Sequence, residues 1–157
     1  MDRAERDALV AQYVDGYDAV TTALAGITAA EWEGRGAPGE WSPREVVHHL
    51  ADSEMTSAIR LRRLIVEDRP VIAGYDEEAF AQRLFYDRPI DASLAAFKAA
   101  RDSTAQILHR LSPEDWSREG SHSDSGRYSV EDWLRIYAVH AHDHADQIRR
   151  ARATVAG

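Results

Sequence analysis

Apolar residues fall at three- and four-residue steps along most of the chain. Between Asp2 and Leu24, the positions Leu9, Val10, Tyr13, Tyr17, Val20 and Leu24 make one stripe, the pattern of an amphipathic helix. The stretch "GITAAEWEGRGAPGEW" interrupts it with glycines and a proline, which predicts a loop with one helical turn after Thr28. A second helix starts at "SPRE": Ser42 caps, Pro43 suits the first helical position, and Glu45 follows as the partner of a capping box. It runs to about Glu67, with Val46, Val47, Leu50, Ile59, Leu61, Leu64 and Ile65 expected in the core. A connection follows that holds a short helix from Asp76 to Leu84, and a third long helix spans about Asp91 to Leu111. "SPEDW" at Ser112 opens another turn, and "REGSHSDSGRYS" reads as a loop. Ser129 with Asp132 caps the last long helix, which runs to about Ala153. No stretch alternates convincingly with period two. The expected class is all-α, a four-helix bundle, with residues 1–157 as one domain because each helix needs the others to bury its stripe.

Composition narrows the function. Hydrophobic residues make up 44% and charged residues 29% of the 157, a globular balance. The formal net charge of −8 argues against nucleic acid as a partner, since phosphate binding needs a basic stripe. No run approaches the ~20 apolar residues that span a bilayer, so no membrane role is expected. "MDRAERDALV" is charged and has no apolar signal core, so a cytoplasmic location is the expectation. Cysteine is absent, so a metal would have to be held by His, Asp, Glu or backbone.

The last helix carries "YAVHAHDHADQI", with His140, His142 and His144 close together. Four residues return a helix nearly to the same face, so His140 and His144 point the same way. Such a pair is either a metal-binding pair or two hydrogen-bonded polar residues. His142 points away, and a solvated pairing with Asp146 is expected. Two ligands leave a zinc or nickel ion short, and "EVVHHLADSE" on the second helix offers a third. His49 has Val46, Leu50 and Ser53 as neighbours and is expected to face inward. His48 is expected at the surface, paired with Asp52.

"WSPREVVHHLADSE", "EDRPVIAGYDEEAF" and "YAVHAHDHADQI" together resemble the DinB superfamily, and more narrowly its YfiT-like branch of metal-dependent proteins. The resemblance covers about Trp41 to Ile148. It implies a four-helix bundle with one divalent metal, zinc or nickel, near one end, bound by His49, His140 and His144. It gives Glu54 no role. Relatives of this kind include transferases and isomerases that use a low-molecular-weight thiol.

Other residues have two readings each. Arg60 returns near the face of His49 three turns on, and either holds an anionic substrate group or pairs with an acid at the bundle end. Asp52 is an acid–base candidate or a partner of His48. Asp143 either orients a ligand or is solvated. Tyr75 either hangs over the site or packs as a staple, and the four Trp are read as core or loop anchors. Three functions compete. The first is a metal-dependent hydrolase or thiol S-transferase acting on a small-molecule substrate, with a soluble low-molecular-weight thiol as the partner in the transferase case. The second is a metal-binding stress or carrier protein without turnover. The third is a helical interaction module tied by its metal. The oligomeric state is left open, a homodimer among the options.

Overall fold

The computed structural model describes residues 1–155. Its helices are α1 (Arg3–Leu24), α2 (Pro43–Val66), the short α3 (Glu77–Arg83), α4 (Asp91–Leu108), the one-turn α5 (Pro113–Trp116) and α6 (Val130–Val155). A 3-10 turn occupies Glu31–Glu33, in the first loop after Thr28. The capping signals act as read. Ser42 Oγ accepts from the Glu45 amide at 3.4 Å while Glu45 accepts from the Ser42 amide at 2.7 Å. Ser129 and Asp132 do the same for α6, at 3.1 and 3.0 Å. α4 stops at Leu108, earlier than expected, where His109–Leu111 unwind and lead into the Ser112 cap of α5.

The four long helices form a bundle whose directions follow from the contacts. Arg6 reaches Glu131 and Arg152 reaches Ala23, so α1 and α6 run parallel. His48 meets Ser93 and Arg62 meets Ser103, so α2 and α4 run parallel as well. Trp133 donates to the Ser57 carbonyl at 2.9 Å while His49 lies beside His140, so α2 and α6 are antiparallel. Parallel neighbours cannot be joined by a tight turn. The chain between α2 and α4, residues 67–90, must therefore climb back along the bundle. This strap carries α3.

Three short strands lie in connections that the sequence reads as loops. β1 is Val71–Ile72, β2 is Glu119–His122 and β3 is Gly126–Ser129, in the order β1-β2-β3. β2 and β3 are an antiparallel hairpin with Glu119 opposite Ser129, and Gly126 turns it with φ 81°. β1 pairs parallel to β2, with Val71 opposite Ser121. The stretch reads as a loop in the sequence because it shows no period-two alternation, and in the fold only Tyr128 and Ser129 of the hairpin are buried. The sheet stitches the strap to the start of α6.

Two apolar clusters fill the bundle. One centres on Val10, Leu61, Leu64, Trp133 and Leu134, the other on Val20, Val46, Leu50, Phe97 and Ile148. Ile59, expected in the core, is 59% exposed. It lies beyond the arc of α2 that α4 and α6 cover. Between the clusters sits a buried ion pair. Arg101 Nη1 donates to Glu54 Oε2 at 2.6 Å, Arg101 Nε donates to the Tyr13 carbonyl at 2.8 Å, and the Tyr13 hydroxyl donates to Glu54 Oε1. Gly16 of α1 makes room for it, since a Cβ there would stand 2.5 Å from Arg101 Nη2 and 2.8 Å from Ala141 Cβ. No helix among the described residues is long and apolar enough to cross a membrane.

Candidate metal centre

α2 and α6 cross so that His49 of α2 meets His140 and His144 of α6. The three Nε2 atoms converge. His140 Nε2 lies 3.4 Å from His49 Nε2 and 3.2 Å from His144 Nε2. Zinc–nitrogen bonds of about 2.0–2.1 Å at tetrahedral angles put two nitrogens ~3.3 Å apart, so these distances fit the edges of a tetrahedron around one cation. His49 is buried, and His140 and His144 are partly exposed.

The surroundings keep these nitrogens available. His144 Nδ1 donates to Gln147 Oε1 at 2.8 Å, which puts the ring proton on Nδ1 and leaves Nε2 with a bare lone pair. Burial holds the His49 ring well below its ordinary pKa, at about 2, with His144 and His140 adding to the effect. Burial likewise lowers His140 to about 3, helped by His144 and Arg101. Burial also lowers His144, with Gln147 and then Asp143 acting against the shift. All three rings are neutral at pH 7, the form that ligates metal. His49 Nδ1 is buried without a hydrogen-bond partner. Trp41 covers the cluster: its ring centroid is 4.4 Å from that of His49 and 6.4 Å from that of His144, nearly parallel to the latter. Tyr137 stands edge-on to His140 at 5.8 Å. Three neutral imidazoles brought together in this way form a group that could hold a metal ion.

Several expectations change. His48 is fully buried, not at the surface: Nδ1 is 2.7 Å from Ser93 Oγ and Nε2 is 2.9 Å from the Arg88 carbonyl. α2 is covered by α6 on one side and by α4 with the strap on the other, so adjacent histidines both find interior. Asp52 instead accepts from the Tyr86 hydroxyl at 2.8 Å. His142 does face away from the cluster, but its partner is the Gln12 carbonyl at 3.0 Å, while Asp146 pairs with Arg149 at 2.6 Å. Asp143 is exposed and acts on His144 only through its charge. Arg60 finds no acid. It donates to the Tyr137 hydroxyl at 3.1 Å and to the Ala73 carbonyl at 2.8 Å. Tyr75 packs on Phe80 at 4.6 Å with Arg60 over its ring face at 5.6 Å.

Sequence reasoning missed Trp41, Gln147 and the pair Glu54–Arg101. Gln147 follows His144 at helical i,i+3 spacing, a signal that was legible. Trp41 precedes the α2 cap, and only the crossing of α2 and α6 brings it over both rings.

The family model described as the DinB superfamily matches residues 12–148, and the chain belongs to that superfamily. A protein of Oceanobacillus iheyensis named "putative metal-dependent hydrolase" is 41% identical over 110 residues, covering 70% of this chain and 64% of that protein. A protein of Bacillus mycoides with the same description is 32% identical over 114 residues, 73% of this chain and 66% of its own length. The match thus spans just under two thirds of these curated relatives. The structure of YfiT from Bacillus subtilis superposes with a TM-score of 0.92 at 25% identity, over 99% of this chain and 90% of that one. YfiT is described as a probable metal-dependent hydrolase with an unusual four-helix bundle topology.

Proposed function

We propose that the chain is a metal-dependent hydrolase that binds one divalent cation, zinc by its donor set, through His49, His140 and His144. The observation that carries this is the convergence of three neutral imidazoles, with His140 Nε2 at 3.4 and 3.2 Å from the Nε2 atoms of His49 and His144 and no fourth side chain in the group among the described residues. A cation held there supplies Lewis acidity and makes water nucleophilic near neutral pH. His144 is fixed in its ligating tautomer by Gln147, and His49 and Trp41 form a dry back wall. His140 and His144 lie toward solvent, the side from which a small-molecule substrate enters. The relatives named as metal-dependent hydrolases support the same reading. A thiol S-transferase would use the same open position with a soluble low-molecular-weight thiol, since the chain has no cysteine.

The test begins with metal content and coordination of the protein purified without chelators. One zinc per chain with three histidine nitrogens and one exchangeable oxygen is expected; a fourth side-chain ligand would refute the open site. Activity on small esters and amides, with and without an added thiol, should then vanish in His144→Ala. Turnover that appears only with thiol would replace hydrolase by transferase, and equal turnover in the variant would refute both.

A further inference from the structure

Beside the histidine cluster the bundle holds hydrogen-bond donors that have no acceptor among the described residues. Arg60 and His49 share a face of α2, eleven residues or about 16 Å apart along the axis. Helical side chains lean toward the N-terminus, so the long arginine side chain reaches back toward His49. Tyr137, to which it bonds, is one turn from His140 on α6 and packs on that ring. Tyr75 arrives from the strap, under the guanidinium.

Each of the three has an unspent proton. Arg60 uses Nη1 and Nη2, while its Nε is buried without a partner. The Tyr137 hydroxyl accepts from Arg60, and its own proton has no acceptor among the described residues. The Tyr75 hydroxyl is buried, with Ser53 close enough to its oxygen to lower its pKa, and its proton has no acceptor among the described residues. Burial pushes the Tyr75 phenol up to about 12, so it remains a protonated donor at neutral pH. Among the described residues no carboxylate lies within 4.0 Å of the Arg60 guanidinium. Glu77 feels its charge, which offsets part of the rise that burial imposes on that carboxyl, yet stays outside ion-pair distance. A buried donor without an acceptor is destabilising, because it has given up its bond to water and gained none in return. Three such donors on and around one guanidinium, in a chain of net charge −8, leave hydrogen-bonding capacity for an anionic acceptor. A groove lined by Met55, Thr56, Ile59, Arg63, Ile72 and Ala73 reaches Arg60.

We propose that Arg60, with the Tyr75 and Tyr137 hydroxyls, binds a carboxylate of the substrate while the reacting group lies at the metal centre. This rests on the metal-dependent reading above and narrows it to carboxylate-bearing substrates. A single guanidinium flanked by two phenols matches one negative charge and the planar, two-oxygen shape of a carboxylate.

The test is ligand binding to the zinc-loaded full chain by titration calorimetry, so it does not depend on turnover. A series of dicarboxylates from malonate to pimelate is compared with monocarboxylates of the same chain length. One end would sit at the zinc and the other at Arg60. The best dicarboxylate should bind at least ten times more tightly than its monocarboxylate match. Arg60→Gln should remove that preference, and Tyr75→Phe should reduce it several-fold, both with zinc content unchanged. Equal binding of the two series by the wild type overturns the proposal, as does a preference that survives Arg60→Gln. Should Arg60→Gln release the strap and lose zinc, Tyr75→Phe decides, and an undiminished preference there overturns it. Zinc uptake, measured first, separates failure of this site from failure of the metal centre.

Discussion

Two buried polar groups lie within the same bundle and differ in one respect. The Glu54–Arg101–Tyr13 group is closed: both oxygens of Glu54 accept, and Arg101 donates to Glu54 and to the Tyr13 and Tyr137 carbonyls. The histidine group is incomplete: three Nε2 atoms face one another and His49 Nδ1 bonds to nothing. Burial raises the Glu54 carboxyl while Arg101 and Tyr13 pull it back, whereas the histidines are lowered by burial and by one another. A satisfied network needs nothing from outside and fixes how helices pack. An unsatisfied convergent one keeps bonding capacity for a guest. Burial and polarity alone do not mark a functional site; unspent lone pairs do.

The comparison breaks first at the ion pair. Arg101→Met leaves Glu54 buried without its cation and should cost roughly 3–5 kcal/mol in chemical denaturation. Adding Glu54→Leu should recover much of that loss. Zinc affinity of whatever folds should be little changed, because Arg101 is not a ligand; a large loss of affinity would merge the two groups into one.

The reverse pattern is expected at the histidines. His49→Ala, His140→Ala and His144→Ala should each lower zinc affinity, read by competition with a chromogenic chelator. The loss should exceed the ~10–100-fold that follows removal of an outer hydrogen-bond partner. Metal-free stability should stay near wild type. A collapse of metal-free stability instead would make the cluster structural.

Acid sharpens the contrast. His49 and His140 are held near 2 and 3 in the folded chain, below the ordinary value of about 6.5. The unfolded chain therefore binds more protons between those values. Their contribution to metal-free stability is complete above about pH 6.5 and is lost as pH falls toward 3. Each ring contributes up to about 1.4 kcal/mol per pH unit in that window. Denaturation midpoints from pH 8 to pH 4 should show the decline, and His49→Ala should flatten it. A slope unchanged in that variant would remove His49 from the account.

The smallest effects lie at the periphery. Gln147→Leu should weaken zinc binding by about 10-fold, through the freed tautomer of His144. His142→Ala and Asp143→Asn should leave it within error, because one ring bonds to α1 and the other side chain is solvated. A His142 variant that loses metal would mean that the wrong face of α6 had been assigned.

The sequence by itself determined the four helices, their caps and the ligand candidates. These are local properties. A capping box closes over four residues, an apolar stripe repeats every turn, and the alignment of His140 with His144 needs only helical geometry. It also pointed to His49 through its small and apolar neighbours. Tertiary structure alone decided the rest. His48 is interior because α4 and the strap cover a face of α2 that periodicity left for solvent. Ile59 is exposed because the same packing leaves its arc open. β1 pairs with the hairpin across about fifty residues, and the hairpin, though local, has almost no burial to imprint alternation. Glu54 and Arg101 meet across forty-seven residues, and each reads locally as a surface charge on a helix. Trp41 comes over the rings only where α2 crosses α6. Helix formation is written in spacing along the chain, but the partner of a buried charge is chosen by which helices lie side by side.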